Sequence, residues 1–165
     1  MRSVRAFMVS FIVLAVLWLL LAGSVDAQEL VAALVVALLL SIFFAGRLQV
    51  LADFRFTPAA IWHGFLYIWV FLWALLRSNL DVARRTLDPR LPINPGIVRV
   101  RTTLRSRLGR LALANSITLT PGTLTVETRD DMFYIHWIDA EATDIEHSTQ
   151  RIVRVFEKHL EVIFG

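Results

Sequence analysis

Asn115-Ser116-Ile117-Thr118-Leu119-Thr120-Pro121-Gly122-Thr123-Leu124-Thr125-Val126 is the stretch on which the reading of this chain turns. Proline then glycine between two threonines supplies the central residues of a type II turn. Proline presets φ at about −65°, and glycine accepts positive φ without a steric penalty. The stretch therefore reads as a compact Thr-Pro-Gly-Thr hairpin module, followed by Tyr134-Ile135-His136-Trp137-Ile138-Asp139. Three long apolar segments precede it. A membrane-embedded front end joined to such a module points to a component of an integral membrane assembly rather than a free-standing enzyme.

Composition supports that direction. Of 165 residues, 56% are hydrophobic, and the mean hydropathy of +0.61 exceeds that of ordinary soluble domains. Residues 6–22 and 30–46 are charge-free runs, and 59–76 is a third, interrupted only by His63. As helices these runs are about 25–27 Å long, slightly under a hydrocarbon core of roughly 30 Å, so flanking residues must contribute. The chain has no cysteine, which removes disulfides, thiolate metal sites and cysteine nucleophiles. Arg2, Arg5, an apolar run and Val25-Asp26-Ala27 have the outline of a secretory signal. The run is longer than such signals carry, and a second follows at once, so a retained helical hairpin is the better reading.

Topology follows from the arginines. Arg2 and Arg5 precede the first run, Arg47 and Arg55 follow the second, and Arg77, Arg84, Arg85 and Arg90 follow the third. If all three runs cross, four arginines fall on each side and the positive-inside rule is silent. If only the first two cross, all eight lie on the cytoplasmic side. The expectation is therefore a multi-pass protein of a prokaryotic cytoplasmic membrane with a cytoplasmic C-terminal domain. The third run, with Trp62, Tyr67, Trp69 and Trp73, would lie in the inner interface or against partner subunits.

Beyond residue 87 the pattern becomes that of a soluble domain. Three prolines and a glycine among residues 88–96 mark a linker. Ile97–Arg101 alternates as a half-buried strand does, and Leu104, Leu108, Leu111 and Ala112 recur at helical spacing. Residues 124–128 and 132–138 read as antiparallel strands joined through Arg129-Asp130-Asp131. Thr143-x-x-Glu146 opens a last helix as a capping box, with Ile145, Ile152, Phe156, Leu160 and Ile163 along one face. The fold class expected is a membrane α-helical N-terminal hairpin plus a small cytoplasmic α+β domain, β-α-β-β-α, ferredoxin-like without the last strand. Its parts are a two-helix transmembrane hairpin at 1–46, the third apolar helix with a basic extension at 47–88, and the α+β domain at 89–165.

Nine arginines against two aspartates give residues 77–110 a net charge of +7, whereas residues 111–165 carry −5. Beside a membrane, anionic lipid headgroups are the natural partners of Arg77, Arg84, Arg85 and Arg90. Nucleic acid is not expected for a tethered, acid-ended domain. Catalytic chemistry is not visible. Neither charge-free run holds an ionisable group, which argues against an ion pathway through this chain. His136 and Asp139, at i and i+3 of a strand, would face opposite ways. His147 and His159 lack metal-ligand spacing, and no glycine-rich phosphate loop is present. No cofactor or metal is expected.

With these segments in hand, the chain resembles the MnhE/MrpE family, the E-type subunits of the Mrp-type multisubunit Na+/H+ antiporters. Two short apolar segments, an apolar third, the Pro95-Gly96-Ile97 entry, Ile117 to Thr123, and Tyr134-Ile135-His136 carry the resemblance. A departure is that the third segment is more apolar than an amphipathic surface helix. The resemblance implies a non-catalytic accessory or assembly subunit whose partners are the other subunits of a Mrp-type antiporter complex. In that family ion translocation belongs to the large subunits. Its structural motif would map to Pro95, Gly96, Thr118, Thr120, Pro121, Gly122, Thr123 and His136. The alternatives are the equivalent small subunit of a membrane-bound hydrogenase-type or other redox-driven complex, and an independent membrane-anchored binding module.

Overall fold

A computed structural model describes residues 2–44, 53–140 and 144–165, which divide into two compact units, 1–54 and 55–165. In the first, α1 (Arg2–Ala22) and α2 (Ala27–Phe43) pack against each other across residues 23–26. Gly23, at φ +66°, ends α1 by returning its N–H to the Leu19 carbonyl, the left-handed cap that glycine favours. Glu29 in the first turn of α2 accepts a 2.9 Å hydrogen bond from the Trp18 indole.

The burial of this unit is inverted relative to a soluble bundle. Among the described residues of this unit Ala6, Val9, Ser10, Ala33, Ala37 and Ser41 are buried, while Ile12, Val16, Leu20, Leu21, Leu39 and Phe43 are exposed. Ala33, Ala37 and Ser41 recur every four residues, so one small-residue ridge of α2 lets the backbones approach closely. Water would expel the bulky outward residues; lipid would not.

The second unit opens with α3 (Pro58–Leu87), a 30-residue helix about 45 Å long. Thr57 caps it through the Ala60 N–H at 3.1 Å, and Pro58 occupies the first turn, where its missing N–H costs nothing. Three strands follow: β1 (Gly96–Arg101), β2 (Thr123–Arg129) and β3 (Met132–Trp137) form an antiparallel sheet in the order β1-β3-β2. Val98 and Val100 on β1 register with Ile135 and Phe133 on β3, and all four are buried. The bulge between Thr125 and Glu127 shifts the β2 register. Asp130, at φ +49°, makes the tight β2–β3 turn.

Helices α4 (Arg107–Leu119), α5 (Ile145–Ile152) and α6 (Arg154–Phe164) complete the unit. Leu113, Ile117, Ile152, Phe156, Leu160 and Ile163 are buried with the sheet valines. Between β1 and α4, the buried Glu157 carboxylate holds the chain by accepting from Thr102 Oγ1 (2.6 Å) and the Thr103 N–H (2.7 Å).

Several expectations are corrected. Residues 115–119 are the last turns of α4, so Thr120–Thr123 joins a helix to a strand instead of closing a hairpin. Ser116 Oγ donates to the Ala112 carbonyl within α4, and Thr123 Oγ1 ties the turn back to the Ile117 carbonyl. Leu104 precedes α4 and is buried, whereas Leu111 is exposed; the buried face is Gly109, Leu113, Ser116 and Ile117. The last helix is two helices meeting at Val153. Thr143 of the expected capping box lies outside the described residues; the cap is Asp144, accepting from the His147 N–H at 2.8 Å.

Candidate functional site

The face of α3 that meets the rest of its unit carries His63, Tyr67, Phe71, Val82 and Arg85, spaced at helical intervals. Tyr67 hydroxyl bonds Ser116 Oγ, and the Tyr67 and Phe71 rings pack on Phe156. Nearer its C-terminus, α3 meets the Thr-Pro-Gly-Thr turn. Gly122 adopts φ +90°, Thr123 N–H returns to the Thr120 carbonyl at 3.2 Å, and the Gly122 carbonyl accepts from Ile138 N–H at 2.8 Å. A Cβ at Gly122 would sit 2.9 Å from Ile138 Cγ2 and 3.6 Å from Val82 Cγ2. The turn is thus a joint between α4, the end of β3 and α3.

Beside this joint lies a cleft of about 770 Å³. From α3 it takes Trp69, Trp73, Arg77 and Arg85; from the turn, Thr120 to Thr123; from the end of β3, Trp137 and Asp139. Arg151, Phe156 and Lys158 close the other wall. Arg85 is bound by Asp81 and Asp139, each at 2.8 Å, and donates to the Pro92 carbonyl at 2.6 Å. Its guanidinium is therefore a clamp between α3 and the β3 end. Arg151 lies over the Trp137 ring at 5.8 Å.

Of the expected motif residues, Thr120, Pro121, Gly122 and Thr123 line this cleft, as do Arg77 and Arg85. Thr118 Oγ1 accepts the Thr125 N–H at 3.2 Å, outside the cleft. Gly96 opens β1 next to Pro95; a Cβ there would lie 3.1 Å from the Ala140 Cβ. His136 is exposed on the sheet, and Arg84 and Arg90 are exposed outside the cleft. Trp137, Arg151 and Lys158 join the cleft with no sequence signal beyond their basic or aromatic character.

A second cluster pairs His63 of α3 with His159 of α6, Nδ1 to Nδ1 at 3.3 Å. Burial, then Lys158 and His63, lowers the His159 pKa. Its buried Nε2 has no hydrogen-bond partner among the described residues. No group of three metal-ligating side chains occurs among the described residues.

The exposed side of α3 carries Ile61, Trp62, Phe65, Ile68, Trp69, Leu72, Trp73 and Leu76. Together with the inverted first unit, this defines a membrane-associated subunit with a helical part and an α+β domain. Residues 11–163 match the family described as Na+/H+ ion antiporter subunit. The E subunit of the Na+/H+ antiporter of Alkalihalophilus pseudofirmus is 36% identical over 130 residues, covering 78% of this chain and 80% of the relative. The E1 subunit of the Staphylococcus haemolyticus antiporter is 31% identical over 153 residues, covering 86% and 91%. This chain belongs to that antiporter subunit family. Among solved structures, a chain of the membrane-bound sulfane sulfur reductase, an archaeal respiratory membrane complex, aligns with a TM-score of 0.84. It is 42% identical, and the match covers 97% of this chain and 99% of that one. A chain of the Mrp complex from a Dietzia species aligns with a TM-score of 0.45 at 29% identity, covering 61% of this chain and 94% of that one.

Proposed function

We propose that this chain is a non-catalytic accessory subunit of a multisubunit Na+/H+ antiporter complex, required for assembly rather than for ion translocation. The observation that carries the reading is the inverted burial of α1 and α2 in a chain of the antiporter family. Small residues pack the two helices together and leave a charge-free aliphatic surface fit for lipid or partner helices. The charge-free runs offer no relay for a proton or sodium ion.

α1 and α2 form a transmembrane hairpin, and α3 lies in the cytoplasmic interface. By length and composition α3 could cross a membrane itself. The domain, however, is tied to it from His63 to Arg85, about 33 Å of helix, through both apolar and ion-pair contacts. Spanning would put residues 59–76 in the hydrocarbon and draw α6, which packs on them through Phe156 and His159 and carries Glu157, Lys158 and Glu161, towards it, at a cost that interfacial placement avoids. The α+β part, with β2 parallel to β1 on either side of β3, is a ferredoxin-like split unit without its last strand. The cation-rich margin next to α3, Arg77, Arg84 and Arg90, faces anionic headgroups. Nucleic acid is not a partner.

Deletion of the chain tests the reading. Loss of assembled complex together with sodium sensitivity is the expected result, and normal levels of both would overturn it. The 42% identity to a chain of a respiratory complex favours a second reading, the equivalent subunit of a redox-driven ion-pumping complex. A mild-detergent pull-down separates the two. Antiporter-like subunits alone support the first, and co-eluting iron–sulfur subunits support the second.

A further inference from the structure

We propose that the cleft beside the Thr-Pro-Gly-Thr turn is a specific site for a glycerophospholipid with an anionic headgroup; this rests on the interfacial placement of α3. Three features point to one amphiphilic ligand.

The first is charge. The cleft holds four cations, Arg77, Arg85, Arg151 and Lys158, and two carboxylates, Asp81 and Asp139. Both carboxylates are engaged by Arg85. Arg77 and Lys158 come from α3 and α6, helices that meet only in the folded unit, and they converge on the same opening. Its described lining holds no further carboxylate. A phosphodiester supplies the counter-charge and the acceptor oxygens that such a pair takes.

The second is the apolar half. Trp69 and Trp73 line the cleft yet are 61% and 66% exposed, and they belong to the same side of α3 as Phe65, Ile68, Leu72 and Leu76. The cleft therefore runs without a break onto an apolar helix face. A free phosphate or nucleotide has no use for that continuation, whereas acyl chains do. Trp137 on the opposite wall places a third indole at the depth where its amphipathic ring suits the headgroup boundary.

The third is size. About 770 Å³ lies within the roughly 300–1,000 Å³ typical of ligand sites. It accommodates a headgroup and the start of its chains, the rest lying along α3. Since Gly122 and Thr123 form part of the wall, such a lipid would seal the joint between α3, the turn and β3.

The test is native mass spectrometry of the intact complex, purified through a tagged copy of this chain in mild detergent. Wild-type complex is expected to retain an anionic phospholipid on this subunit. Arg77→Gln with Lys158→Gln is expected to lower retention about 30-fold, the equivalent of about 2 kcal/mol for two interfacial cations. Restoring the charges as Arg77→Lys with native Lys158 should recover most of it, and Arg99→Gln, on exposed sheet surface, should change nothing. Retention of only zwitterionic lipid, of none, or equal retention by the double variant would overturn the site. So would a partner-subunit segment cross-linking into the cleft through a photoreactive residue at Trp137. Partner subunits co-eluting without the lipid would sink this inference alone, whereas the chain eluting without partners would sink the functional reading.

Discussion

Gly122 shows how one backbone angle can hold a joint together. Its φ of +90° lies where a β-branched residue is strained, and the space its Cβ would need is already taken by Ile138 Cγ2. Gly122→Val should cost about 3 kcal/mol, combining backbone strain with overpacking. Two readouts check it: a lowered thermal midpoint of the purified complex and a smaller fraction of chain recovered in the complex. Unchanged values for both would show that the turn can relax. His159 carries a different signal. Its pKa is lowered by burial first, then by Lys158 and His63, so the unfolded chain binds the proton more readily than the native one. Stability contributed by neutral His159 is therefore complete above about pH 6.5 and is lost as pH falls from there through the lowered native value. Melting midpoints between pH 5 and 8 should fall on the acid side for wild type and less so for His159→Phe. Parallel curves for the two proteins would assign the acid loss to other groups.

At the scale of elements, α1 and α2 give a prediction that separates the two sides of one helix. Ala37 is buried on the small-residue ridge and Leu39 is 61% exposed two residues on. Ala37→Leu forces the backbones apart and should destabilise the pair by about 1–3 kcal/mol, whereas Leu39→Ala leaves their packing intact. Resistance to heat-induced aggregation in detergent should fall for the first and hold for the second. The reverse order would mean that Leu39 faces a partner that Ala37 does not. The same elements show what sequence pattern can carry. The alternation in Ile97–Arg101 was legible because Val98 and Val100 alone of that strand are buried. The turn at Pro121-Gly122 was legible because only a few residue types fit its angles. Its context was not. Thr118 and Thr120 look like strand residues, yet α4 runs through Leu119, held by the burial of Leu113, Ser116 and Ile117, a tertiary contact that no local pattern reveals. The break at Val153 has no glycine or proline to announce it. The cleft was half legible: Arg77 and the turn stood out, but Trp137, Arg151 and Lys158 reach it only through the β1-β3-β2 order and the packing of α5 and α6.

For the whole molecule, the absence of cysteine makes the course of the membrane directly measurable. The arginine tally is indifferent if α3 crosses, and it favours the cytoplasm if α3 stays at the surface. The packing of the second unit favours the surface, because α3 carries an ion-paired domain along most of its length and offers only its tryptophan-rich side to lipid. The two arrangements place two exposed points differently. Ser24, between α1 and α2, lies outside in both if the N-terminus is inside. Asp130, at the β2–β3 turn, lies inside if α3 is interfacial and outside if α3 crosses. Single Ser24→Cys and Asp130→Cys chains in intact cells, treated with a membrane-impermeant maleimide, should therefore label at Ser24→Cys alone. Asp130→Cys should label only after permeabilisation. Labelling of both sites in intact cells would establish a third span, carry the α+β domain to the outer side, and remove the inner-leaflet lipid from the cleft.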